Sequence, residues 1–196
     1  MANVLLTFAH PNPDSLNGAT ARSIESALRE KGHTVRFNDL YRTDFDPKLG
    51  FKDFEQWGNG KVPADVKAMQ EDIAWADGLV FVYPNWWNGR PALLKGYIDR
   101  VYTKGFAWDF GPNGLEGKLK GKQTLVAVTS GTPKELYQGL GIPTEHLHNH
   151  MELGTLKFCG IEEVRLVETY GILSGDESLP KAHINDATDA AVALFA

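Results

Sequence analysis

Residues 78 to 101 read "GLVFVYPNWWNGRPALLKGYIDRV" and contain a strand, a loop and a helix in that order. The first seven residues are apolar without alternation, the pattern of a short strand buried on both faces. Pro91 suits the start of a helix, and apolar residues at helical spacing carry it to about Tyr102. A strand with both faces covered, followed at once by a helix, is a central strand of a parallel sheet. The loop between them is unusual. Trp86 and Trp87 stand side by side where a turn normally carries small polar residues, and they offer flat apolar faces next to Asn85, Asn88 and Gly89.

The same alternation continues on either side. "NVLLTFAH" (3 to 10) is a short apolar run, and Ser15 caps an amphipathic segment that reaches Lys31 and stops at Gly32. "HTVRFNDL" (33 to 40) alternates as a less buried strand does. After a long aromatic-rich polar loop, Pro63 opens a helix to about Ala76. "QTLVAVTS" (123 to 130) is a second doubly buried strand; a glycine-rich loop, a helix near Thr144 to Phe158, the strand "EEVRLVETYG" and a helix near Pro180 to Phe195 complete the chain. Five strands each followed by a helix imply a parallel sheet covered on both faces by right-handed crossovers. The first strand lacks the G-x-G-x-x-G of a Rossmann site. The expected fold is therefore an α/β flavodoxin-like three-layer sandwich with strand order 2-1-3-4-5, formed by residues 1 to 196 as one domain.

Composition narrows the function. The 196 residues are 42% hydrophobic, enough for a full core, and carry 20 basic against 25 acidic groups for a net charge of -5. No block of like charge suggests a nucleic-acid or membrane partner. Cys159 is the single cysteine. An intramolecular disulfide and a four-cysteine zinc site are thereby excluded, and the N-terminus does not read as a signal peptide, so a cytoplasmic location is expected. No run approaches the roughly 18 apolar residues of a spanning helix.

In the 2-1-3-4-5 order the topological switch point lies between strands 1 and 3, and ligands bind outside the carboxyl ends of strands there. Three loops converge on that point: "AHPNPDSLNG", "PNWWNGRP" and "TSGTPKELYQG". Ser15 and Asn17 sit at a helix start beside free N–H groups, which suits a phosphate or simply a capped helix. His10 either reaches the same region or fills the sheet edge. The tryptophans suit a planar heteroaromatic ligand, with the alternative that one of them packs under the next helix. Thr129, Ser130, Gly131 and Thr132 supply hydroxyls and backbone amides or form an ordinary polar turn, with Tyr137 beyond them as a proton donor. His146, His148 and His150 repeat at spacing two, yet no carboxylate or cysteine completes a zinc set, and a helix facing solvent or a partner is the plainer reading.

"AHPNPDSLNGA", "NDLY", "FDP", the pattern from Trp87 to Val101, "GFAW" (105 to 108), "LKGK" and "FCG" (158 to 160) together resemble the flavodoxin-fold NAD(P)H:quinone oxidoreductases, in that family's order and over nearly the whole chain. The resemblance implies a flavin with its phosphate near His10, Ser15, Leu16 and Asn17. Its ring would lie against Pro84, Asn85, Trp86, Trp87 and Asn88, with Thr129, Ser130, Gly131 and Thr132 opposite. FAD is favoured over FMN from the "SLN" start of the first helix. The resemblance also implies a homodimer in which Phe106 and Trp108 reach over the partner's site, and the cluster Phe106, Trp108 and Phe110 is expected to be exposed. Two departures stand out: Trp86 and Asn88 replace a glutamine and an aromatic residue of many relatives, and Pro143 stands where many have a histidine assisting the tyrosine matched by Tyr137. His146 is the candidate substitute.

The expected activity is hydride uptake from NADH or NADPH by the flavin, then ping-pong delivery of two electrons to a quinone or similar acceptor. Two other readings stay open: a flavodoxin-type electron carrier, and a flavin-binding regulatory subunit of a potassium-efflux system.

Overall fold

The computed structural model describes residues 1–144 and 146–196, without the side chains of residues 146–148. Five parallel strands, β1 (Asn3–Phe8), β2 (Thr34–Asp39), β3 (Gly78–Pro84), β6 (Gln123–Thr129) and β7 (Glu163–Thr169), form one sheet in the order β2-β1-β3-β6-β7. Counted alone, these are the expected 2-1-3-4-5. A further hairpin that the sequence reading lacked, β4 (Trp108–Gly111) with β5 (Gly114–Gly117), forms a separate two-stranded antiparallel sheet.

Alternate residues of each central strand enter opposite layers. Val4, Leu6, Phe8, Val80, Val82, Leu125 and Ala127 pack beneath α1 (Leu16–Glu30) and α7 (Ser178–Leu194). Leu5, Leu79, Phe81, Tyr83, Val126 and Val128 face α3 (Ala64–Trp75) and α4 (Ala92–Val101). Burying both faces requires the continuous apolar runs seen in the sequence.

Local signals act as expected at α1. Ser15 Oγ accepts from the Gly18 amide at 3.2 Å, and at the other end Gly32 N–H donates to Arg29 O while His33 N–H donates to Leu28 O. These are the paired bonds of a glycine-terminated helix, and Gly32 takes the required positive φ of 86°. The aromatic-rich loop is less irregular than expected. It holds a short helix, α2 (Phe51–Gly58), and α5 (Lys134–Gly139) lies within the loop after β6. The helix expected near Thr144 to Phe158 divides into α6 (His146–Met151) and a π-helical turn, Glu152–Lys157.

Much of the motif on α4 is structural. Arg100 is buried and bonds Asp53 at 2.8 Å, Asp65 at 2.5 Å and the Asp46 carbonyl, tying α2 and α3 to α4. Burial opposes ionisation of Asp53, yet donors from Arg100 and Gly50 outweigh it and hold the carboxyl below its ordinary range. A Cβ on Gly96 would lie 2.1 Å from Pro47 O, so "LKG" and "FDP" meet through a contact that only glycine permits. A Cβ on Gly117 would lie 2.2 Å from the Gly160 nitrogen, which joins the hairpin to "FCG".

Candidate flavin site

The carboxyl ends of β1, β3 and β6 open into a cleft of about 710 Å³. This volume is typical of a small-molecule site. The lining includes His10, Ser15, Leu16, Asn17, Pro84, Asn85, Trp86, Trp87, Asn88, Thr129, Gly131, Thr132 and Tyr137, so three separate loops do meet. Ser130 is buried just behind, its Oγ 3.3 Å from Tyr137 Oη. The resemblance places Phe106 and Trp108 over a partner's cleft rather than their own. Phe106 and Trp108 pack half-buried against the core of their own chain, outside this cleft, and Trp108 Nε1 donates to Tyr102 O at 3.1 Å. Only Phe110 of the aromatic cluster is strongly exposed, at 66%. The expected exposure of Phe106 and Trp108 is not found, because pairing β4 with β5 turns Trp108 inward. His146 carries a side chain outside the described residues.

The tryptophan loop is a tight turn. Trp86 and Gly89 exchange backbone hydrogen bonds of 2.8 and 3.0 Å, and the two residues between them, Trp87 and Asn88, have φ of 52° and 61°. Two positive φ values in succession are the requirement of a type I′ turn, natural for Asn and strained for Trp. Neither tryptophan packs under a helix. Trp87 is fully exposed, and Trp86 is 41% exposed with its ring 5.7 Å from that of His10. Both indoles are thus presented at the rim. Behind the turn the Arg90 guanidinium reaches Met151, Thr155 and the His150 carbonyl, and burial lowers its pKa.

The walls are tied to one another. Asn17 Nδ2 donates to Thr129 Oγ1 at 2.9 Å, the Asn85 amide to Thr129 O at 2.7 Å, and Asn85 Nδ2 to Tyr137 Oη at 3.0 Å. A Cβ on Gly18 would lie 1.9 Å from Pro13 O, so glycine lets the first loop fold tightly over the start of α1.

The donors fit a flavin. Helix geometry leaves the Leu16 and Asn17 amides without an intrahelical acceptor, and the positive end of α1 points at the same spot. No Lys or Arg lines the cleft among the described residues, so any phosphate there depends on these amides and on Ser15. Asn17 Oδ1, Asn85 Oδ1 and Asn88 Oδ1 are buried acceptors without a partner among the described residues. Buried polar atoms are rarely left so, and three around one cleft match a flat ligand that offers ring N–H and hydroxyl donors.

Sequence reasoning missed the aliphatic side of the cleft, which is formed by Leu136, Leu140, Ile142, Ile172 and Leu173. The last two belong to the loop after β7, where Ile172 N–H donates to Ser130 O and Gly171 N–H to Thr132 O. "GIL" next to a strand end was the available signal. It carried no polar group to draw notice.

Comparison with known proteins agrees with this geometry. Residues 2–193 match the family model described as a flavodoxin-like fold. A Haemophilus influenzae protein named as an uncharacterized NAD(P)H oxidoreductase is 38% identical over 170 residues, 86% of this chain and 83% of its own. The Mus musculus ribosyldihydronicotinamide dehydrogenase [quinone] is 30% identical over 188 residues, 86% of this chain and 81% of its own. The chain belongs to the flavodoxin-like NAD(P)H:quinone oxidoreductase family. The solved NAD(P)H:quinone oxidoreductase from Methanothermobacter marburgensis superposes on this chain with a TM-score of 0.85, at 30% identity and with 97% of both chains covered.

Proposed function

We propose that this chain, acting as one domain in the cytoplasm, is a flavin-dependent oxidoreductase that takes hydride from NADH or NADPH and delivers two electrons to a quinone or similar planar acceptor. The observation that carries the reading is the cleft itself: a planar indole rim, a helix N-terminus and orphaned amide oxygens at the carboxyl ends of β1, β3 and β6. The relatives' names add nicotinamide nucleotides and quinones as the donor and acceptor classes.

When bound, the flavin supplies the redox chemistry. The protein binds, orients and keeps water out. Ser15 and the amides of Leu16 and Asn17 hold the phosphate, and Pro84, Asn85 and Asn88 meet one edge of the ring. Thr129, Ser130, Gly131 and Thr132 border the other side. Tyr137 offers its phenol to the place where negative charge accumulates. Trp86 and Trp87 form the wall against which donor and acceptor stack in turn, which makes turnover ping-pong. The exposed Leu136, Leu140 and Leu173 extend the cleft with apolar surface suited to an adenine, which favours FAD over FMN.

Phe110 and the half-buried Phe106 and Trp108 form the surface through which two chains pair, each bringing aromatic cover to its partner's cleft. Reconstitution with FMN and with FAD, mass spectrometry of the extracted ligand, and stopped-flow reduction by NADH and NADPH test the proposal together. A chain that takes up neither flavin, or a flavin complex that neither nucleotide reduces, overturns it.

A further inference from the structure

We propose that Asn85, besides lining the cleft, positions and polarises Tyr137 through its side-chain amide. The inference rests on the flavin-reductase reading above. Asn85 Nδ2 donates to Tyr137 Oη at 3.0 Å, and Ser130 Oγ lies 3.3 Å from the same oxygen. The contact is prearranged: Asn85 follows β3 directly, its backbone amide is fixed on Thr129 O at 2.7 Å, and Tyr137 is 9% exposed. Pro143, six residues beyond Tyr137, has neither donor nor acceptor in its side chain.

The consequence concerns the direction of the phenol proton. An oxygen that already accepts from an amide has its own O–H left to donate. Both Asn85 and Tyr137 line the cleft, whereas Ser130 lies behind it. Hydride transfer moves two electrons and one proton from the reduced nicotinamide, which becomes cationic, and adds one negative charge to the flavin. A phenol whose oxygen is polarised by Asn85 is a better donor to that charge than an isolated one. Beside its place at the ring edge, Asn85 thus acts on the charge-accumulating step through Tyr137.

The test compares the flavin-reconstituted parent with N85L, which lacks the donor, and N85D, which keeps the shape and replaces the donor by an acceptor that competes for the phenol proton. The midpoint potential of the bound flavin should fall in N85L by the equivalent of about tenfold, about 30 mV for a two-electron couple, and further in N85D. Reduction by NADH should slow about tenfold with the apparent nucleotide affinity unchanged. N85L combined with Y137F should lose less than the sum of the two single losses. Both Asn85 variants at the parental potential, a parental potential in Y137F, or additive losses in the double variant overturns the inference. In the flavin-free protein, the Asn85 side-chain amide proton resonances, assigned by their loss in N85L, should shift in Y137F. A shift there with no flavin uptake places the failure in the flavin reading, and no shift places it in the Asn85 contact.

Discussion

Two residues at the cleft show opposed pressures. Trp87 takes a positive φ that costs a bulky L-residue roughly 1–2 kcal/mol, and its ring is fully exposed, so the fold gains nothing from it. Trp87→Asn keeps the turn and removes that strain. Thermal unfolding should show a gain of about 1 kcal/mol, while quinone reduction falls because the stacking wall is lost. Tyr137→Phe belongs to the other class, since the phenol ring packs normally without its hydroxyl. Flavin reduction should slow about tenfold, or ~1.4 kcal/mol, with nucleotide affinity unchanged in rapid-reaction traces.

At the scale of elements, α4 is held by one cation. Arg100→Met leaves Asp53 buried among α2 residues without its partner, which should cost about 3–5 kcal/mol in urea unfolding. The carboxyl of Asp53 lies below its ordinary value, so the stability it provides is present above the unfolded pKa of 3.8 and is lost as pH falls through the lower folded value. The variant should therefore lose less stability than the parent on titration into that acid range. Ser15→Ala removes one cap bond from α1 and should cost about 1 kcal/mol of stability, with a larger relative loss in flavin affinity because the same hydroxyl faces the cleft.

Two predictions belong to the whole molecule. His183 on α7 is fully buried, its Nδ1 is bonded to Thr169 at 2.8 Å and its Nε2 has no partner among the described residues; burial lowers its pKa from 6.5 to about 4 despite the neighbouring Asp186. The unfolded chain binds this proton first as pH falls, so the native state is penalised between those two values by roughly 3 kcal/mol in all. His183→Gln should flatten that part of the stability–pH curve measured by denaturant unfolding. Pairing of chains is tested at Phe110, whose side chain the fold leaves out, rather than at Trp108, whose loss also opens the core. Phe110→Glu should yield monomers by sedimentation with the parental melting curve at low protein concentration, and lose quinone reductase activity as it dissociates.

The sequence by itself determined the sheet, its order and the three loops at its carboxyl edge, because burial on both faces leaves continuous apolar runs and parallel strands permit few connections. It also determined most of the cleft's polar lining, since Ser15, Asn17, Asn85 and Thr129 lie at strand ends or helix starts, where sequence and position are directly linked. The tertiary structure alone decided the rest. The β4–β5 hairpin turned Trp108 inward, which no local pattern marks because its pairing partner is "GLEG", a segment with little strand character of its own. Ile172 and Leu173 on the aliphatic side of the cleft came from a loop after β7, brought beside β6 only by sheet order. The bond from Asn85 to Tyr137 spans 52 residues of chain, and such a contact is set by packing between elements rather than by periodicity within one.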